Sequence, residues 1–428
     1  MKKVLSAICC IIITSLYIFP FEFTFLPGYN TKMILSGMGA LWLGLDMVMY
    51  GKRNIRYDII LLSIIAVGIS LMSLVTMMYN NTGDGSFLSY PISILVWIGG
   101  AYFTIRFIKV TTGNISIEIF CNYFISVCTI QCIIAYLKVV YPAFDAFIDS
   151  FLGGEEAFMG KAEGRLYGIG AALDVAGFKF AAASTMIGAL CVNALKEKTT
   201  TQVLWYIFAF IIITVIGNMI ARSTIIGTTI TLIYIVLTSM VEKEFSFLKA
   251  LCVLIIITLP FIIYLYNYDI GFRSNIRFGF EGFFSLFETG KWQTGSNDIL
   301  FNHMIVFPDN LKTWLIGDGY AANPTYDTYY IGEEYHGFYK GTDIGYIRFL
   351  FYFGIMGCAL LIGFICTTAV ACMKRFPNYS IIFLLVLLVN LIEWVKVSTD
   401  LFSVFAPFIC ISTTDNNIYE KSLIKGQK

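Results

Sequence analysis

The chain has 428 residues, 58% of them hydrophobic and 13% charged, with a formal net charge of +1. A soluble domain is about half apolar and about a quarter charged, so this balance excludes an ordinary water-soluble fold. The mean hydropathy of +0.76 points the same way, and a near-neutral chain offers no footprint for a polyanion.

Apolar runs of about 18 residues or more recur along the chain, the length that carries a helix across a hydrocarbon core. In lipid every backbone donor and acceptor must be bonded internally, which leaves helices or closed barrels. The runs are continuous rather than alternating, so the expectation is an all-α polytopic membrane protein of about 12 transmembrane helices.

Lys2 and Lys3 precede the first run, Val4 to Pro20, and no small-residue cleavage site follows; an uncleaved first helix is expected. Nine spans are predicted near 4–22, 32–50, 58–79, 88–108, 115–140, 168–192, 202–219, 223–240 and 248–266, which makes 1–266 one block of helices. A polar loop of about 75 residues follows over 267–342. Spans near 344–372, 379–396 and 400–413 make up a second block, 343–414, and 415–428 is a tail. Short loops rich in Lys and Arg stay on the cytoplasmic side. Lys52, Arg53 and Arg56, then Arg106 and Lys109, Lys196 and Lys198, Lys243 and Lys249, and Lys374 and Arg375 fall on one alternating side with both termini. That predicts cytoplasmic termini and a large periplasmic loop in a bacterial inner membrane.

The large loop holds both histidines, His303 and His336, and many aromatic residues. Aromatic content argues against disorder, and a loop this long is usually functional. Short helices are expected in it, for example around 297–307. All 11 cysteines lie within or beside apolar runs, which reads as small hydrophobes rather than a disulfide framework.

Four arginines fall on the predicted outer side: Arg165, Arg222, Arg273 and Arg277. Arg222 lies in a tight turn between two spans. It either snorkels to the interface or clamps an anion, since guanidinium binds phosphate bidentately and keeps its charge. Asp174 and Lys179 sit inside a span, where ionisable groups face a cavity or one another. They are five positions apart, so a direct pair is not expected on a regular helix, and Asp174 is expected to face a polar cavity. Asp343 and His336 stand where the large loop returns to the bilayer, and either suits a base for a sugar hydroxyl. Asp343 or Thr342 equally suits the N-cap of the next helix. Walker, HExxH, CxxC, GxSxG and dinucleotide-binding patterns are missing, and no Asp-x-Asp pair stands ready for a metal. No metal site and no cofactor are expected.

Several features recur together: a dozen spans, a large outer loop before the last three, Ala221–Ser223 at a hairpin turn, Gly317-Asp318-Gly319-Tyr320, and Asp343-Ile-Gly-Tyr346-Ile-Arg followed by Phe353-Gly-Ile-Met-Gly357. This pattern resembles the O-antigen and capsule polysaccharide polymerases of the Wzy type, in the wider O-antigen polymerase/ligase superfamily. The resemblance is architectural over the whole chain and motif-level only over about 165–180, 218–228 and 315–357. It implies a GT-C-like, metal-independent membrane glycosyltransferase that joins oligosaccharide units carried on undecaprenyl pyrophosphate at the periplasmic face. Arg165, Arg222, Arg273, Arg277, Asp174, Asp318, Tyr320 and Tyr346 would then bind substrate, with Asp343 or His336 on the acceptor side. A chain-length regulator and a flippase of the same pathway would be partners, along with membrane lipids. Loop aromatics such as Trp292 and Tyr339 would stack on sugars or anchor the loop at the interface. The ligase branch often has a histidine at the place of Asp343, which favours polymerase over ligase here. A flippase, the third reading, fits poorly with ionisable residues gathered at helix ends.

Overall fold

The computed structural model describes residues 2–51, 56–153, 165–196, 199–243, 245–324 and 337–426. His336, Glu155, Glu156, Lys52, Arg53 and Lys198 lie outside them. In chain order the helices are α1 (Lys2–Ile18), α2 (Thr31–Tyr50), α3 (Tyr57–Asn80), α4 (Tyr90–Thr112), α5 (Ile117–Val140), α6 (Pro142–Asp149) and α7 (Leu173–Lys196). They continue as α8 (Thr200–Ile220, with a π turn over Ile213–Gly217), α9 (Thr224–Glu242), α10 (Ser246–Tyr268), α11 (Ile270–Gly279) and α12 (Glu281–Thr289). The last are α13 (Gly295–Ile299), α14 (Leu311–Ile316), α15 (Gly345–Arg375), α16 (Ser380–Glu393), α17 (Phe402–Cys410) and α18 (Thr413–Gly426). A two-residue ribbon, Glu22–Phe23 against Leu152–Gly153, is antiparallel.

Each of the twelve apolar runs is helical, so the all-α membrane architecture holds. Fewer than twelve of these helices have, by length and composition, the dimensions of a full crossing. Among the described residues eight helices are long and apolar enough to span a bilayer: α2, α3, α4, α5, α7, α8, α9 and α15. A ninth appears if Ile255–Tyr268 and Ile270–Gly279, bent by 117°, are taken as one. The other runs fall short for physical reasons. α16 stops at Glu393, where the chain turns through Trp394 to Lys396, and α17 is only nine residues long. Beyond α17 the backbone is extended at Ile411, and its carbonyls need donors. Arg56 and Arg375 donate to Ile409 and Ile411 there, with Asp58 paired to Arg56. Lys109 pairs with Asp415 and the Ile117 N–H donates to Asn416, so these residues of the basic loops gather around the start of α18.

The bundle is packed through small residues. A Cβ added at Gly227 of α9 would overlap the Ala181 backbone of α7, and one at Gly188 of α7 would stand 2.7 Å from Thr231. Glycine here lets two helix backbones touch, the packing mode available where lipid removes the hydrophobic drive between helices. Gly177 meets Ser223 in the same way, which locks the Ala221–Ser223 turn against the first turns of α7. α7 is the most enclosed span, 94% buried over its most apolar window.

The large loop docks on α15 at a break in that helix. Gly354 takes φ 68°, ψ −168°, a conformation essentially reserved for glycine. The kink leaves the Phe351 and Tyr352 carbonyls without their helical partners. The Asp318 and Gly319 N–H groups donate to them instead, at 2.5 and 3.2 Å. Gly317 (φ 85°) lies directly on the Tyr352 carbonyl, and Gly354 lies on the Leu315 carbonyl at the end of α14. Thr76 and Asn80 of α3 donate to the Ile316 and Gly317 carbonyls at 3.0 and 3.1 Å. The two glycine-rich motifs are therefore one joint. The expected helix near 297–307 is present as α13 and a π turn over Leu300–Met304.

Candidate functional site

The turn between α8 and α9 carries Arg222 to the rim of a cleft of about 760 Å³. Arg165 and Arg277 line it too, with Phe278 between them, so three of the four sequence-selected arginines meet. The Arg165 and Arg222 guanidiniums lie 4.9 and 4.6 Å from the centre of the Phe278 ring. Such a cation–ring contact helps to hold the guanidinium in place. Carboxylates balance the arginines. Glu281 pairs with Arg222, and Glu288 accepts from Arg277 at 2.9 Å. With Asp298 the cleft holds three cations and three anions. The Arg277 hydrogen bond holds the Glu288 carboxyl below the usual range. Arg273 is not in this group. It donates to the Tyr266 and Asn267 carbonyls, both at 2.7 Å, and so closes the end of α10.

The segment that follows Arg165 is tied down at Tyr167 and Ile169. Lys138, buried at the end of α5, lies 2.7 Å from Asp149 and 3.1 Å from Asp145, and 3.5 Å over the Tyr167 ring. The Tyr167 hydroxyl donates to Asp149 at 2.8 Å, and burial together with the two aspartates raises its pKa. The next turn is fixed by Gln131, which accepts from the Ile169 N–H at 2.8 Å and donates to its carbonyl at 2.9 Å.

Behind the cleft stands a second polar group. Ser223, next to Arg222, donates to Asp174 at 3.1 Å, and Lys396 lies 3.6 Å from the same oxygen. Asp343 lies 3.5 Å from Arg348, whose guanidinium also donates to Ser398 at 2.7 Å and sits 3.7 Å over the Phe338 ring. Burial pushes the Asp343 carboxyl up to about 6; Arg348 opposes the rise, Asp174 adds to it and Lys396 opposes it. One of its oxygens has no hydrogen-bond partner. A carboxyl poised near neutrality can take a proton at ordinary pH. Asp174 is thus in a polar cluster, and Lys179 is elsewhere, 5.0 Å over the Phe19 ring. The cap expected of Thr342 or Asp343 is not made. α15 begins with Ile344 at its cap position, Thr342 accepts from the Ile344 N–H at 3.3 Å, and the Tyr346 N–H donates to the Trp394 carbonyl.

The other selected residues serve the docked loop. Asp318 accepts from Lys312 and Thr313, both at 2.6 Å, and Tyr320 stacks on Tyr339 at 5.3 Å in a small buried cluster with Ile344 and Phe351. Tyr346 donates to the Leu391 carbonyl at 2.7 Å and packs edge-on against Trp394. His336 lies outside the described residues. Sequence reasoning gave no role to Phe278, Arg348, Glu393 or Lys396. Their signal was present in the last three, since each is an ionisable residue within or at the edge of an apolar run. Among the described residues no group of three His, Cys, Asp or Glu side chains stands close enough to hold a metal ion.

No protein-family model, characterised protein or solved structure matches the chain.

Proposed function

We propose that the protein is a membrane glycosyltransferase that polymerises lipid-linked oligosaccharide units. The observation that carries this reading is the meeting of Arg165, Arg222 and Arg277, from three distant stretches, in one open cleft beside the Asp174 and Asp343 cluster. A pyrophosphate leaving group gathers negative charge as its bond to the sugar breaks, and prearranged guanidiniums stabilise that charge. The diphosphate would displace Glu281 and Glu288 from Arg222 and Arg277. The acceptor hydroxyl would lose its proton to Asp343 as the new glycosidic bond forms and the pyrophosphate departs with the bonding electrons.

On this reading the donor and acceptor are oligosaccharides on undecaprenyl pyrophosphate, and the cleft faces the periplasm of a bacterial inner membrane. The arginine chemistry needs no metal. The arginines, the raised Asp343 and the apolar helices support it, since they suit such a substrate at a bilayer surface. The test is polymerisation by the purified full-length protein in liposomes with a synthetic lipid-linked repeat unit. Arg165→Ala and Arg222→Ala should each leave the unit unextended while the protein inserts and elutes normally. Normal chain lengths from both variants would end the reading. Transfer of the unit to lipid A or another acceptor, without extension, would move the protein to the ligase class.

A further inference from the structure

Glu393 closes α16 and is 1% exposed, and neither of its carboxyl oxygens has a hydrogen-bond partner. It is apart from the cleft, and the chemistry proposed above makes no use of it. The charged groups acting on it are Asp174, at the start of α7, and Lys396, in the turn after α16. Asp343 and Arg348 complete the neighbourhood, drawn to one another at 3.5 Å. Lys396 cannot serve two carboxylates well. Its ammonium lies 3.6 Å from Asp174, and its own N–H donates to the Glu393 carbonyl at 2.8 Å, which sets the base of its side chain beside Glu393. A carboxyl group closed off from solvent and without a protein donor is far more stable as the neutral acid.

We propose that Glu393 is a proton-binding site, neutral while Lys396 is held by Asp174 and ionised when Lys396 is released to it. The step is balanced. The Glu393 O–H bond breaks, the proton leaves to solvent, and the ammonium of Lys396 takes over as the counter-charge. The lysine stem is flexible enough to choose between partners near its own helix end. A ligand that drew Asp174 away from Lys396 would be linked to the release of one proton, and by reciprocity low pH would weaken that ligand. The site needs neither the arginine cleft nor glycosyl transfer in order to exist.

Infrared spectroscopy of the full-length protein in detergent tests it directly, because a protonated carboxyl has a carbonyl stretch that a carboxylate lacks. At pH 8 Asp343, pushed up to about 6, is ionised and does not interfere. The wild type should show an acid band that disappears in Glu393→Gln. The same band should disappear in Asp174→Asn, where Lys396 is set free, and return in Asp174→Asn combined with Lys396→Met. The Asp174→Asn comparison keeps Glu393 in place, so it stands even where Glu393→Gln disturbs folding. A wild-type spectrum without a Glu393-dependent band, or a band untouched by Asp174→Asn, overturns the proposal.

Discussion

Replacing Gly354 by alanine tests whether the two glycine motifs form one joint. Three effects add in the same direction. The backbone at φ 68°, ψ −168° costs a residue with a Cβ about 1–3 kcal/mol. The new methyl would stand 2.6 Å from the Ile316 nitrogen and closer still to the Leu315 carbonyl, so α14 must retreat, an overpacking of about 1–3 kcal/mol. The retreat strains the Asp318 and Gly319 bonds to α15, each worth about 1 kcal/mol. With both bonds lost the sum is about 4–8 kcal/mol, a large share of the stability of any domain. Gly363 supplies a control in the same helix. A Cβ there meets nothing within 4 Å, and Gly363→Ala should stabilise by about 0.5–1 kcal/mol through reduced chain entropy. Heating the detergent-solubilised variants and following the monodisperse fraction by gel filtration gives the midpoints. Gly354→Ala should unfold well below the wild type, and Gly317→Ala should add less than its own loss because the two glycines press on one joint. A Gly354→Ala protein with the wild-type midpoint would refute the reasoning.

In the reconstituted polymerisation assay, Arg222→Ala should lower the rate by about 100- to 1,000-fold, as expected for loss of a charge-stabilising donor. Its midpoint should move by less than about 1 kcal/mol equivalent, since the Glu281 pair is partly exposed. Arg222→Lys keeps the charge but loses the flat stack on Phe278, and should recover only part of the rate. If Asp343 takes the acceptor proton, the rate should fall about tenfold per pH unit below about 6, and Asp343→Asn should be inactive at every pH. The folded state holds the Asp343 proton more tightly than the unfolded chain, whose carboxyl titrates near 3.8. Stability should therefore fall as pH rises from about 4 to about 6, and urea titrations of Asp343→Asn should lack that slope. Lys138→Met strands Asp145 and Asp149 and should destabilise by about 2–3 kcal/mol, partly restored by Asp149→Asn, as read from thermal midpoints.

Periodicity and charge located every apolar helix, because in lipid a continuous run has few alternatives to helix. They did not separate long apolar helices from short ones, because hydropathy does not register where a backbone stops being helical. Ile411 reads as apolar in sequence, yet the chain is extended there and relies on Arg56 and Arg375, far away in sequence, for its donors. Arg165 and Arg222 were legible from one rule, that positive charge in short outer segments needs an explanation, and Arg277 from its place at the start of the large loop. Arg273 was singled out with them because it opens the large loop, but its role was set by the carbonyls ending α10, which no spacing reveals. Asp318 and Tyr320 drew notice as residues of a glycine-rich motif, and the glycines prove to serve backbone contact with a kinked helix.

The joint and the cleft are mechanically linked through α15. Gly354 fixes the loop that ends at Thr342, and nine residues before the kink the same helix begins at Gly345, packed on the Trp394–Ser398 backbone. Asp343 is therefore held between the docked loop on one side and the end of α16 on the other. A half-buried carboxyl keeps its raised titration only while the backbone on both sides holds it in place, since any slack would admit more water and restore its ordinary titration. The glycines that look unrelated to chemistry are on this argument what keeps Asp343 near neutrality. Gly354→Ala should accordingly lower the pH at which Asp343 titrates, before it unfolds the bundle.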